Sequence, residues 1–160
     1  MNNDILIAYY SWSGNTRKIA EQIQKLTGGG LFEIKPVQPY ADNYSEVVRQ
    51  AKNEIRSGFL PELTSFPENN SYKTLFIGSP NWWNTMAPPA ASFLSGSDLD
   101  GKTVIPFITH GGGGAGTFER DVANLCPGSE ITKGYSLYND GGISAAKELD
   151  LWLTKIGMKR

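Results

Sequence analysis

Ile5-Leu6-Ile7-Ala8-Tyr9, followed at once by Tyr10-Ser11-Trp12-Ser13-Gly14-Asn15-Thr16, is the stretch that decides how this chain folds. An unbroken apolar run of that length reads as a strand buried on both faces of a parallel sheet. Behind it Ile19, Ile23 and Leu26 fall at i, i+4 and i+7, the apolar stripe of a helix that Gly28 ends. A strand, a hydroxyl-rich turn and a helix start make an anion pocket. The first-turn N–H groups lack intrahelical partners, and the helix dipole places partial positive charge there. Ser11, Ser13 and Thr16 add hydroxyls, Gly14 lets the backbone come close, and Asn15 tolerates the dihedrals of a tight turn. A simple helix cap needs one such residue, and here five of six positions carry one.

Outward from this unit the chain alternates strand and helix. Leu31-Phe32-Glu33-Ile34-Lys35 alternates apolar and polar before Pro36, as suits a half-exposed strand near a sheet edge. Val47, Ala51 and Ile55 line one side of a helix stopped by Gly58, and residues 59–72 read as a surface connection. Residues 74–78 form another buried strand whose exit loop is Ser79-Pro80-Asn81-Trp82-Trp83-Asn84-Thr85, and Pro88-Pro89 opens a short helix to Leu94. A fourth strand, 102–109, contains Pro106, which removes a ladder donor and predicts a local irregularity. A helix with Phe118, Val122 and Leu125 on one face follows, then a fifth strand over 131–138 interrupted by Gly134, then a last helix carrying Leu149, Trp152, Leu153 and Ile156. The alternation implies a parallel sheet with helices on both faces. With no repeat, low-complexity tract or boundary in sight, residues 1–160 are expected to form one domain.

In an open α/β sheet a ligand sits beyond the carboxyl ends of the strands, where strand order reverses. The loops after the first, third and fourth strands, Ser11–Thr16, Ser79–Thr85 and Thr109–Gly116, hold the Ser, Thr, Asn, Gly and Trp residues, while the other strand ends read as plain. That convergence marks the expected site.

Ser11-Trp12-Ser13-Gly14-Asn15-Thr16 after a first buried strand resembles the phosphate-binding loop of the flavodoxin family, with its hydroxyl-x-hydroxyl-Gly-Asn-Thr pattern. The resemblance extends over essentially the whole chain. It implies a flavodoxin-like α/β three-layer sandwich, a five-stranded parallel sheet of order 2-1-3-4-5, and non-covalent FMN. It places the FMN phosphate on Ser11–Thr16, without need of lysine or arginine, and an aromatic from the Ser79–Thr85 loop over the isoalloxazine ring. Trp82 and Trp83 occupy that place; neighbouring residues seldom point the same way, so one is expected to stack and the other to turn inward. The family's loop after the fourth strand has aromatic and acidic residues, whereas here only Thr109, His110 and the glycines Gly111, Gly112, Gly113 and Gly114 precede Ala115.

That glycine run also fits the dinucleotide spacing Gly111-x-Gly113-x-x-Gly116. It follows the fourth strand rather than the first, and Glu130 would begin the next strand rather than end it, so the run reads better as backbone lying close to a flat ring. His110, the sole histidine, is either an incidental polar residue or a donor to the flavin or a substrate, and is the one candidate catalytic residue. Arg17 and Lys18 read as solvated, and Cys126 as inert packing.

Composition excludes several classes. A net charge of −1, with 39% hydrophobic and 19% charged residues, gives no basic surface for nucleic acid. No apolar run approaches the roughly 20 residues of a membrane span. Met1-Asn2-Asn3-Asp4 lacks the basic region and apolar core of a secretory leader, so a cytoplasmic location is expected and the sequons at Asn43 and Asn69 read as chance. One cysteine forms no intramolecular disulfide, and no metal site is expected. Neither the clustered aspartates of a receiver domain nor a nucleotide-binding Gly-x-x-x-x-Gly-Lys-Ser/Thr run is present. The resemblance leaves three functions open: an electron carrier meeting redox partner proteins, an NAD(P)H-dependent reductase of quinones or flavins acting on a small-molecule acceptor, and a non-catalytic flavin-binding module. Typical flavodoxin carriers are strongly acidic, and the near-neutral charge shifts weight toward the reductase without deciding it.

Overall fold

The computed structural model describes residues 2–159. The first half contains β1 (Asn2–Tyr9), α1 (Asn15–Thr27), β2 (Gly29–Glu33), α2 (Tyr44–Ser57), β3 (Thr74–Trp82) and the short β4 (Thr85–Met86). Then come α3 (Pro88–Ser95), β5 (Thr103–His110), α4 (Phe118–Leu125), β6 (Glu130–Ile131), β7 (Tyr135–Tyr138), a 3-10 turn at Gly142–Ser144, and α5 (Ala145–Lys155).

The parallel sheet runs β2-β1-β3-β5, with β6 and β7 following one another along the far edge of β5. Together β6 and β7 are the expected fifth strand, so the order 2-1-3-4-5 holds. Its interruption has a cause in Pro106. Between the paired positions Val104↔Ile131 and Phe107↔Tyr135, the three residues 132–134 stand opposite the two residues Ile105 and Pro106. A side chain at Gly134 would place its Cβ 2.1 Å from the Pro106 carbonyl oxygen, so the detour needs glycine there.

Several boundaries differ from the sequence reading, β1 starting at Asn2 rather than Ile5 and β5 running Thr103–His110 rather than 102–109. β2 begins at Gly29 rather than residue 31, because Gly28 turns left-handed at the end of α1 and Gly29 and Gly30 already pair with β1. β3 does not stop at Gly78. It continues to Trp82 and folds back, with Asn81 opposite Met86 and Trp82 opposite Thr85, so the expected exit loop is a strand end plus a hairpin. The hairpin turn is Trp83-Asn84, both with positive φ (53° and 72°), as a two-residue turn matched to strand twist requires.

Alternation along the central strands builds two cores. Ile5, Ile7, Phe76, Ile105 and Phe107 face Ile19 and Ile23 of α1 and Leu149 and Leu153 of α5. Ala8, Leu75, Ile77, Val104 and Ile108 face Val47 of α2, Phe93 of α3 and Val122 of α4. This two-sided burial is why these strands read as continuous apolar runs. Each fully buried side chain of this size contributes roughly 1.5–3 kcal/mol. Phe107 lies over Gly78, where a Cβ would come within 2.2 Å of its ring. Among the described residues no helix is long and apolar enough to cross a membrane.

Candidate functional site

At the carboxyl end of β1 the chain turns through Ser11–Gly14 into α1. Gly14 takes φ 100° at the helix N-cap, a conformation that a side chain would strain. The Ser11 hydroxyl accepts the N–H groups of Gly14 (3.1 Å) and Arg17 (3.2 Å), so it ties the loop together rather than facing outward. The Trp12 indole donates to the Ala41 carbonyl at 3.0 Å. The Asn15 and Thr16 N–H groups, in the first turn, have no intrahelical acceptor. Arg17 pairs with Glu33 (3.6 Å) and Lys18 with Asp140 (3.5 Å). Thr16 is buried, and its hydroxyl lies 2.8 Å from that of Thr109 at the end of β5.

The two tryptophans part company at the hairpin. Trp82 is edge-on to Tyr40 (5.0 Å, 85°) and to Tyr10 (5.6 Å, 81°). Burial holds both phenols above their usual range, and at Tyr40 a 2.5 Å hydrogen bond to Glu54 adds to the effect. Trp83 is 48% exposed; its indole N–H donates to the Val48 carbonyl at 2.8 Å, and the Lys52 ammonium lies 5.1 Å from the ring centroid. Ser79 is fully buried and bonds locally, donating to the Pro80 carbonyl and accepting the Ala87 N–H.

His110 is half-buried at the end of β5. Its Nδ1 accepts the Gly112 N–H at 3.0 Å, which leaves Nε2 as the protonated nitrogen of the neutral ring, and its edge meets Tyr138 at 5.9 Å. The glycines beyond it have conformational reasons to be glycine: Gly112, Gly114 and Gly116 all have positive φ. A Cβ on Gly116 would lie 2.3 Å from the Asn84 carbonyl oxygen, whereas one on Gly111 would meet open space. The glycine loop therefore packs against the hairpin turn.

These loops enclose one cleft of about 480 Å³, within the range of small-molecule sites. The first loop contributes Trp12, Ser13 and Asn15; the hairpin contributes Pro80, Asn81, Trp82 and Trp83; the third contributes Thr109, His110 and Gly111. Ser11, Gly14, Thr16, Ser79, Asn84, Thr85, Gly112 and Gly113 do not line it; Thr16 and Ser79 are buried, whereas Asn84, Gly112 and Gly113 are exposed. Sequence reading missed the wall supplied by α2, formed by Tyr44, Val47, Val48 and Ala51, and also Asn139 beyond β7. The fifth strand's end is thus not plain: Asn139, at φ 54°, donates its N–H to the His110 carbonyl. The turn-forming run Asn139-Asp140-Gly141-Gly142 was the available signal. Among the described residues no three His, Cys, Asp or Glu side chains gather as a metal site.

A family model described as Flavodoxin matches residues 4–156. The chain belongs to the flavodoxin family. No curated protein matches the sequence. Among solved structures similar to this flavodoxin-family chain is a candidate flavoprotein from Bacteroides eggerthii DSM 20697, 31% identical over 99% of this chain and 100% of its own, with a TM-score of 0.86. A flavoprotein from Lactobacillus acidophilus NCFM, solved in complex with FMN, is 25% identical over 94% of this chain and 99% of its own (TM-score 0.75). A Fusobacterium nucleatum flavodoxin bound to flavin mononucleotide is 14% identical over 96% of both chains (TM-score 0.59), a likeness of fold alone.

Proposed function

We propose that the protein binds FMN non-covalently in this cleft and transfers electrons through it. One observation carries the reading: the start of α1, the exposed Trp83 and the His110-Gly111 edge line a single cleft. The residues present fit the group. A phosphate monoester at the α1 end would meet the Ser13 hydroxyl, the Asn15 amide, backbone N–H groups and the helix dipole. Arg17 and Lys18, paired with Glu33 and Asp140, need take no part. At the other end Trp83 offers an indole, and Gly111, with open space where a Cβ would be, offers bare backbone for a flat ring. The FMN complex of the Lactobacillus acidophilus relative supports the same assignment.

When bound, FMN supplies one- or two-electron chemistry, and the chain supplies binding, orientation and electrostatics. Thr109 lines the cleft, and its hydroxyl shares a hydrogen bond with that of buried Thr16. With a net charge of −1 the surface offers a redox partner little long-range steering.

A second reading, an NAD(P)H-dependent reductase of a small-molecule acceptor such as a quinone, is favoured by His110, which lines the cleft and whose Nδ1 is occupied by the Gly112 N–H. The test is the absorbance of the FMN-loaded protein with NADH or NADPH added without air. Bleaching only after addition of a separate reductase supports the carrier; direct bleaching supports the reductase; failure to bleach with chemical reductants contradicts both.

A further inference from the structure

The Trp83-Asn84 turn is strained and has no glycine to relieve it. Left-handed backbone at a tryptophan, here at φ 53°, is unfavourable and persists only where the surroundings over-determine it. Those surroundings converge on Asp121, a residue of α4 that does not line the cleft.

The connections are specific. Asp121 Oδ2 accepts the Thr85 hydroxyl, from the residue after the turn, at 2.5 Å, and the Thr117 hydroxyl at 2.6 Å. Thr117 in turn donates its backbone N–H to the Asn84 carbonyl at 2.8 Å. Asn81 closes the other side, accepting the Asn84 N–H at 2.9 Å and donating to the Gly114 carbonyl at 2.8 Å. A side chain at Gly116 would place its Cβ 2.3 Å from the Asn84 carbonyl oxygen, so the glycine loop lies close against the turn. One carboxylate thus fastens the hairpin to the loop that follows β5.

We propose that Asp121 is the positioning residue of the cofactor cleft: through Thr85 and Thr117 it holds the Trp83-Asn84 turn in its left-handed form and so sets the indole of Trp83 against the ligand. This role rests on the FMN reading above. Asp121 touches no ligand and acts through two hydroxyls. Its carboxylate is suited to the task. Burial would raise its pKa, but the hydrogen bonds from Thr117 and Thr85 and the Arg120 charge outweigh that and hold it below the ordinary range. It therefore stays an acceptor for both hydroxyls at neutral pH.

Three variants separate this role from general stabilisation: Asp121→Ala removes the acceptor, Asp121→Asn keeps an oxygen acceptor, and Thr85→Val cuts only the hairpin's link. Amide hydrogen exchange in the ligand-free protein reads the turn, and the fluorescence of bound FMN reads Trp83. Asp121→Ala is expected to speed exchange of the Thr117 N–H by about tenfold or more, the loss of charge-assisted hydrogen bonds, and to relieve the quenching of bound flavin. Thr85→Val should relieve quenching in the same direction, and Asp121→Asn should stay close to the unaltered protein. If Asp121→Ala does not fold, Thr85→Val alone decides. FMN bound by the variants with unchanged fluorescence and unchanged Thr117 exchange overturns the positioning role and leaves the function reading intact. No FMN binding by the unaltered protein overturns the function reading, and this role with it.

Discussion

The hydroxyls of Thr16 and Thr109 lie 2.8 Å apart in the interior, joining the first turn of α1 to the end of β5. They link two loops of the cleft across 93 positions of sequence. Thr109 lines the cleft and Thr16 does not, so with Thr16 donating, the hydrogen of Thr109 is free for a ligand.

Thr16→Val keeps the shape and removes the hydroxyl, leaving the buried Thr109 oxygen without its partner. A loss of about 1–3 kcal/mol in folding free energy is expected, together with weaker FMN binding, and Thr16→Ser should restore both. Urea denaturation and an FMN titration check this. Unchanged stability in Thr16→Val would contradict the pairing.

Trp82 and Trp83 should separate cleanly. Trp82→Ala opens a hole between Tyr10 and Tyr40 and is expected to cost at least about 2 kcal/mol. Trp83→Gly removes an exposed ring from left-handed backbone, where glycine rests without strain, so stability should stay within about 1 kcal/mol. The flavin readings should reverse this order, with quenching relieved mainly by Trp83→Gly. Denaturation and bound-flavin fluorescence of the two variants decide it, and a larger stability loss from Trp83→Gly would contradict the assignment.

Much of this was legible locally. The β1–α1 unit announces itself because two-sided burial makes an unbroken apolar run and the donors of the first loop are contiguous. Pro106 announced an irregularity through its missing N–H, although its expression as a detour at Gly134 in the neighbouring strand depends on pairing. The Trp83-Asn84 turn was not legible: no glycine marks it, and its positive φ values are held by Thr117 and Gly116, more than 30 residues away. Likewise the stripe Val47-Ala51 signals a packed helix face, but only tertiary docking puts Tyr44 and Val48 at the cleft.

The glycine loop offers a paired test. Gly116→Ala combines φ 56° with a Cβ 2.3 Å from the Asn84 carbonyl oxygen, and a loss of about 1–3 kcal/mol is expected. Gly111→Ala meets open space and should fold normally while weakening FMN, if bare backbone faces the ring. Thermal melts and FMN titrations of both variants check the contrast; equal melting losses would contradict it.

Alkaline pH gives a further check. Burial pushes the Cys126 thiol from 9.0 up to about 11. The unfolded chain releases this proton first, so stability is full below about 9 and declines as pH rises towards about 11. Tyr10 and Tyr40, also raised by burial, extend the decline at higher pH. Cys126→Ala should flatten the part of the curve just above pH 9, as measured by urea denaturation across pH. An unchanged slope there would contradict the burial argument.

The central claim, that the start of α1 holds the phosphate of FMN, is tested most directly by titrating the ligand-free protein with FMN and with riboflavin, which differ only in that phosphate. Each charge-assisted hydrogen bond to the phosphate is worth roughly 1.5–3 kcal/mol, so FMN should bind at least about tenfold more tightly. Equal affinity for the two flavins would contradict the account.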